Sequence, residues 1–126
     1  IVNGLKGFAT RGPLLFTPNG KHLAAACSAS QAPGEAKFSL ELIPLDRNQP
    51  VSTYAPDCST GMAFSPDGTL LAELAAQQIK IWQMPNRLLH TLSSPGVQNY
   101  YSATFSPDGT LLAAGADGSV ILWGVQ

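Results

Sequence analysis

Side chains able to do covalent or metal chemistry are scarce in this 126-residue sequence. Its two cysteines, Cys27 and Cys58, fit no metal-ligand spacing; they read either as one disulfide or as two unpaired thiols, and they do not fix the redox compartment. Its two histidines, His22 and His90, have no Cys, Asp or Glu beside them at ligand spacing, so no metal site is expected. No Gly-x-Ser-x-Gly elbow, phosphate-cradling glycine loop or paired-carboxylate motif occurs. The residues therefore predict a non-enzyme with no cofactor, whose work is binding. For binding, the richest cluster of amphipathic side chains is Tyr100 and Tyr101 beside Gln98 and Asn99, a type enriched at interfaces. The plainer alternative is that one of the two tyrosines packs in the core.

The elements that must carry these groups repeat along the chain. Phe105-Ser106-Pro107-Asp108-Gly109-Thr110-Leu111-Leu112-Ala113, closed by Trp123, has a near-copy in Phe64-Ser65-Pro66-Asp67-Gly68-Thr69-Leu70-Leu71-Ala72, closed by Trp82. The offset is 41 residues at both the Phe (105 − 64) and the Trp (123 − 82), so one structural unit is used twice. A third, worn copy starts at Phe16, with Thr17-Pro18-Asn19-Gly20 as its turn. The motif is a tight hairpin: Pro presets φ, Asp or Asn caps the turn, and Gly takes the positive φ that releases the second strand. Phe before the turn and Leu after it are expected to point into one core. A third strand follows in each unit (38–43, 78–82 and 119–123), and no 3.6-residue periodicity competes with strands. A fourth strand follows in the first two units; a gap-free alignment of 43–54 with 81–92 sets Pro44 in the place of Trp82. The units are 10–54, 55–92 and 93–126, with residues 1–9 supplying the strand that the last unit lacks.

Four-strand units of this length with a Trp ending the third strand resemble the WD-repeat β-propeller. The resemblance implies an all-β fold of three four-stranded antiparallel blades, with a Velcro-type N-terminal strand. It also implies structural roles for Phe16, Phe64, Phe105, Trp82 and Trp123 in blade packing, and for Asp67, Gly68, Asp108 and Gly109 in the hairpins. The chain departs from the family pattern in three ways. The Gly-His dipeptide before the first strand is absent, the tryptophans are followed by Gln83 and Gly124 rather than Asp, and only the third unit has the turn acid, Asp117. The family's usual His–Asp network therefore cannot form. Glu73 stands where the other copies have Ala25 and Ala114; a contact with Lys80 or an adjoining subunit is one reading and local exposure the simpler one.

Propellers close with about 4–8 blades, and this chain holds three. Two explanations stand. Arcs assemble into a ring by cyclic symmetry, six blades as a dimer or nine as a trimer, or the chain is a natural or engineered piece of a longer propeller with a structural role. The start at Ile1 rather than Met suits a removed leader or such a piece. An enzyme of the propeller type is the third and weakest reading.

In the family's geometry the loops 28–37, 55–60 and 93–100 crowd the face where partners dock. This makes Glu35, Lys37, Asp57, Gln98, Asn99, Tyr100 and Tyr101 candidate binding residues; the loop carrying Glu35 and Lys37 reads equally as a solvated insertion. The expected partners are copies of the chain and another protein. Only 12% of residues are charged against 44% apolar, a composition suited to faces covered by copies or partners, or to a neutral soluble domain. With a net charge of −1 and seven scattered basic residues, nothing marks a nucleic-acid or anionic-membrane surface. No apolar run nears the ~20 residues of a membrane span, and no signal peptide is visible. A cytoplasmic location is weakly favoured on that ground alone, and the compartment stays unassigned.

Overall fold

The computed structural model describes residues 8–10, 12–30, 38–46, 52–53, 61–75, 77–84 and 87–125. Among them are strands and turns, and no helix. The first sheet holds β1 (Phe8–Thr10), β2 (Leu14–Phe16), β3 (His22–Ser30), β4 (Phe38–Pro44) and β5 (Ser52–Thr53). The second runs β6 (Gly61–Phe64), β7 (Leu70–Ala75), β8 (Gln78–Gln83) and β9 (Arg87–Leu92) in order, and the third β10 (Tyr100–Phe105), β11 (Leu111–Ala116) and β12 (Ser119–Gly124). Every pairing is antiparallel. This is the all-β, blade-like architecture expected from the repeats.

The hairpin chemistry recurs in all three sheets. In the third, Asp108 Oδ1 accepts hydrogen bonds from Ser106 Oγ at 2.7 Å, Thr110 N at 3.0 Å and Thr110 Oγ1 at 2.8 Å. The second sheet repeats this set on Asp67. In the first, Asn19 Oδ1 accepts from Thr17 Oγ1 at 2.7 Å and Lys21 N at 2.9 Å, so an amide replaces the carboxylate without changing the turn. Gly68 and Gly109 both sit at φ +76°, a conformation that L side chains rarely adopt.

Alternate residues of a strand share a face, and directly paired residues share it across strands. Ala26 and Leu40 of the first sheet pack on Leu71 of the second, with Met62, Phe64, Trp82 and Met84 around them. From the opposite face of the second sheet, Ala72, Leu74, Ile79 and Ile81 pack on Tyr100, Phe105, Leu112 and Ala114 of the third, with Trp123 alongside. Each junction thus joins an alanine-and-aliphatic face to a face bearing Phe and Trp. Fully buried Leu or Ile side chains contribute about 1.5–3 kcal/mol each, which makes these two interfaces the main stabilising element.

The structure corrects the sequence reading in several places. Residues 1–7 lie outside the described residues, and Phe8 and Ala9 do not complete the last sheet. They pair with Ser30 and Ala29 of β3, along the same edge as β2. Strand β3 offers that edge because it runs on to Ser30, into the stretch 28–37 expected to be a loop, held on its other side by Phe38 and Ser39 of β4. Ile43, and not Pro44, takes the tryptophan position, since Leu23 pairs with Ile43 as Leu71 pairs with Trp82 and Leu112 with Trp123. The gap-free alignment failed because the first unit has one residue more between Ile43 and Thr53 (53 − 43) than the second has between Trp82 and Thr91 (91 − 82). Phe16 does not point into a core: it is 62% exposed, against 8% for Phe105. Phe64 and Phe105 each face the sheet before them, and among the described residues no sheet precedes the first.

Candidate protein-docking site

The tyrosine cluster is built at the start of β10 and the turn between β11 and β12. The loop before β10 makes a turn at residues 94–97, where Val97 N donates to Ser94 O at 3.2 Å and Gly96 has φ +80°. Val97 is partly buried against the core formed by the second and third sheets, which pins the middle of the loop. The strand then begins at Tyr100, the residue where the loop was expected to end, so Tyr100 and Tyr101 both belong to β10. Its pairing register slips between Tyr100 and Ser102, leaving Tyr101 as the extra residue of a bulge. Bulges re-aim side chains, and here the neighbours part company.

Tyr100 turns inward. It is 3% exposed, its ring lies 5.9 Å from that of Trp123 at a 54° tilt, and among the described residues its buried hydroxyl has no hydrogen-bond partner. Tyr101 turns outward and is 64% exposed. Its hydroxyl donates to Asp117 Oδ1 at 2.6 Å, while Asn99 N donates to Asp117 Oδ2 at 3.2 Å. Both oxygens of one carboxylate therefore tie the β11–β12 turn to the end of the preceding loop. The hydrogen bond to Asp117, reinforced by its negative charge, holds the Tyr101 phenol above its ordinary pKa. Gln98, Asn99, Tyr101 and Asp117 are all exposed. This arrangement presents a rigid aromatic ring and several neutral hydrogen-bonding groups, and offers no nucleophile or general base in a cleft.

Asp117 was legible in the sequence only as a turn former. Its partnership depends on the bulge, which brings Tyr101 across to it and which no local pattern announced. The other candidates, Glu35, Lys37 and Asp57, lie outside the described residues, as does Cys58; Cys27 is placed within β3 by its backbone.

Glu73 is fully buried, where local exposure had been the simpler expectation. It shares with Met62 the face of the second sheet that packs on the first, is paired across strands with Lys80, and accepts a hydrogen bond from Trp82 Nε1 at 3.2 Å. Trp82 is thus both a packing group and a hydrogen-bond donor. Asp67 and Asp108 are exposed and saturated by their own turns. The Ser106 hydroxyl, with the Thr110 N–H and hydroxyl, lowers Asp108 to a pKa of about 2, and the Thr69 N–H leads the same effect on Asp67. A cleft of about 350 Å³ between the first two hairpins is lined by Pro18, Asn19, His22, Asp67 and Met84, a mixed set with no paired acids. His90 is exposed on β9, and among the described residues no three His, Cys, Asp or Glu side chains come together as metal ligands.

Residues 86–124 match the family model of the WD domain, G-beta repeat. The matched stretch takes in β9 of the second sheet and all three strands of the third, so the repeat straddles a sheet junction. No curated protein matches the chain.

Proposed function

We propose that this WD-repeat chain is a non-catalytic scaffold that docks a protein at the Tyr101–Asp117 end of its third sheet and joins with copies of itself into a closed ring. WD repeats generally serve protein–protein contact, and the stacked sheets give such a surface a rigid base. The observation that carries the docking site is the double hold of Asp117 on Tyr101 and Asn99, which fixes an exposed aromatic ring before any partner arrives. An aromatic held in place loses little conformational freedom on binding, the property that makes tyrosine an effective anchor. The ring would count six blades as a dimer or nine as a trimer, and a stable 13.2 kDa monomer in light scattering would remove it.

The docking site is tested by affinity capture with wild type and Tyr101→Ala, compared with Asp117→Ala. The reading expects a protein that wild type retains and both variants lose, with unfolding midpoints unchanged. Amide exchange at Asn99 should quicken in Asp117→Ala alone. Identical retained proteins across the three forms would remove the assignment.

A further inference from the structure

The stack of sheets ends in two apolar faces. On the third sheet the outer face carries Ser102, Thr104, Ala113, Gly115, Val120 and Leu122. These stand 41 residues after Gly61, Ala63, Ala72, Leu74, Ile79 and Ile81, the face by which the second sheet packs on the third. At the other end, Leu14, Phe16 and Leu45 occupy the positions of Met62, Phe64 and Met84, three of the side chains by which the second sheet packs on the first. The side chains left open at the two ends therefore repeat those of the junction that the chain already makes twice, while Ala25, Glu41 and Ile43, at the positions of Glu73, Lys80 and Trp82, are already buried within the single chain.

We propose that the outer face of the third sheet is the docking surface for the first sheet of a second copy of this chain, head to tail. The proposal rests on the ring reading above and specifies its interface. Exposure singles out the same residues: Val120 is 73% and Leu122 62% exposed where Ile79 and Ile81 are buried, and Phe16 is 62% exposed. A shallow groove of about 260 Å³ runs over Ser102, Ala113 and Gly115 beside Val120, a floor of small residues open to an inserted side chain. No exposed residue named on either face is charged, and Glu41, on the first-sheet face, is already buried within the single chain. A symmetric contact of two third sheets would set one small-residue floor against another and leave Phe16 and Leu14 in water. The head-to-tail contact covers both ends at once, and repeated by rotation it closes.

The test is the mass of the full chain and of two variants in light scattering and native mass spectrometry. Val120→Glu with Leu122→Glu spoils the tail face, and Phe16→Glu spoils the head face. Both act on exposed side chains, so the circular-dichroism strand signal should persist; Thr104→Arg serves as a second tail variant if it does not. Wild type should be a dimer or trimer, and each variant alone should associate more than about a hundredfold more weakly, because a charge would be buried without a partner. Mixing the two variants should restore a 1:1 complex, since one supplies an intact head and the other an intact tail. An oligomer that survives both variants, or variants that fail to combine on mixing, would overturn the head-to-tail interface while the ring stands. A wild-type monomer would overturn both.

Discussion

The same substitution at three equivalent positions should have three different costs. Phe105 hides about nine-tenths of a side chain that buries roughly 200 Å², so at about 25 cal/mol per Å² Phe105→Ala should cost about 4 kcal/mol. Phe16, 62% exposed, hides little more than a third of that area in the single chain, and Phe16→Ala should cost under about 2 kcal/mol. Phe64 is half-buried against the first sheet and should fall between them. Urea unfolding followed by circular dichroism reads these costs directly. With a slope of about 1–1.5 kcal/mol per molar, the midpoint should fall by roughly 3 M for Phe105 and by less than about 1.5 M for Phe16. The measurement belongs at a protein concentration low enough for monomers. At higher concentration the proposed ring would make Phe16→Ala the more damaging change relative to wild type, because a wild type that assembled would gain stability by doing so. If Phe16→Ala costs as much as Phe105→Ala in the dilute sample, Phe16 is buried within one chain, and the account of the end faces fails.

Tyr100→Phe should leave stability unchanged or raise it by up to about 2 kcal/mol, since it removes a buried hydroxyl without a partner among the described residues and keeps the ring against Trp123. A fall in the melting midpoint would show that the hydroxyl is bonded after all. The hairpins should make stability sensitive to acid. Asp108 titrates near 2 when folded and near 4 when unfolded, so its contribution is present above about pH 4 and is lost as pH falls through 2. Asp108→Asn should flatten the acid limb of a midpoint-versus-pH series while keeping the turn, as Asn19 keeps it in the first sheet. An unchanged acid limb would exclude Asp108 as a contributor.

What was legible in the sequence was whatever depends on near neighbours. Ser106, Asp108, Gly109 and Thr110 satisfy one another within five residues, so their types alone predicted the turn and its hydrogen bonds. The alternation of Leu112, Ala114, Ile121 and Trp123 likewise announced a face before it had a neighbour. Contacts that join distant parts of the chain were not legible in this way. Phe8 and Ala9 suited a closing strand by pattern, and only the length of β3 gives them an edge within the first sheet. Tyr100 and Tyr101 are the same residue type side by side, and a one-residue bulge decides which is core and which is surface. Glu73 was misjudged because nothing local shows that an indole N–H waits for it nine residues away.

The placement of that carboxylate bears on how the sheets are ordered. Glu73 faces the first sheet, removed from water and held by Trp82. The matching position on the third sheet is Ala114, 41 residues on, and on the first sheet Ala25, both without a charge to satisfy. Trp82 and Lys80 lie on the same sheet and travel with Glu73, so what the first sheet contributes is the cover that keeps water from this polar group. The first sheet's end face has Ala25 at this position and holds its own acid, Glu41, directly opposite Ala25, buried within the single chain. The acid thus stands on β7 in one face and on β4 in the other, a polar difference between junctions whose apolar shapes are alike, by which a repeat with interchangeable parts can keep a fixed order. Replacing Glu73 by Ala together with Trp82 by Phe removes the acid and its indole donor. If this argument holds, the double variant should keep the fold and give a mixture of assembled masses; a single mass equal to that of wild type would show that the apolar shapes alone set the order.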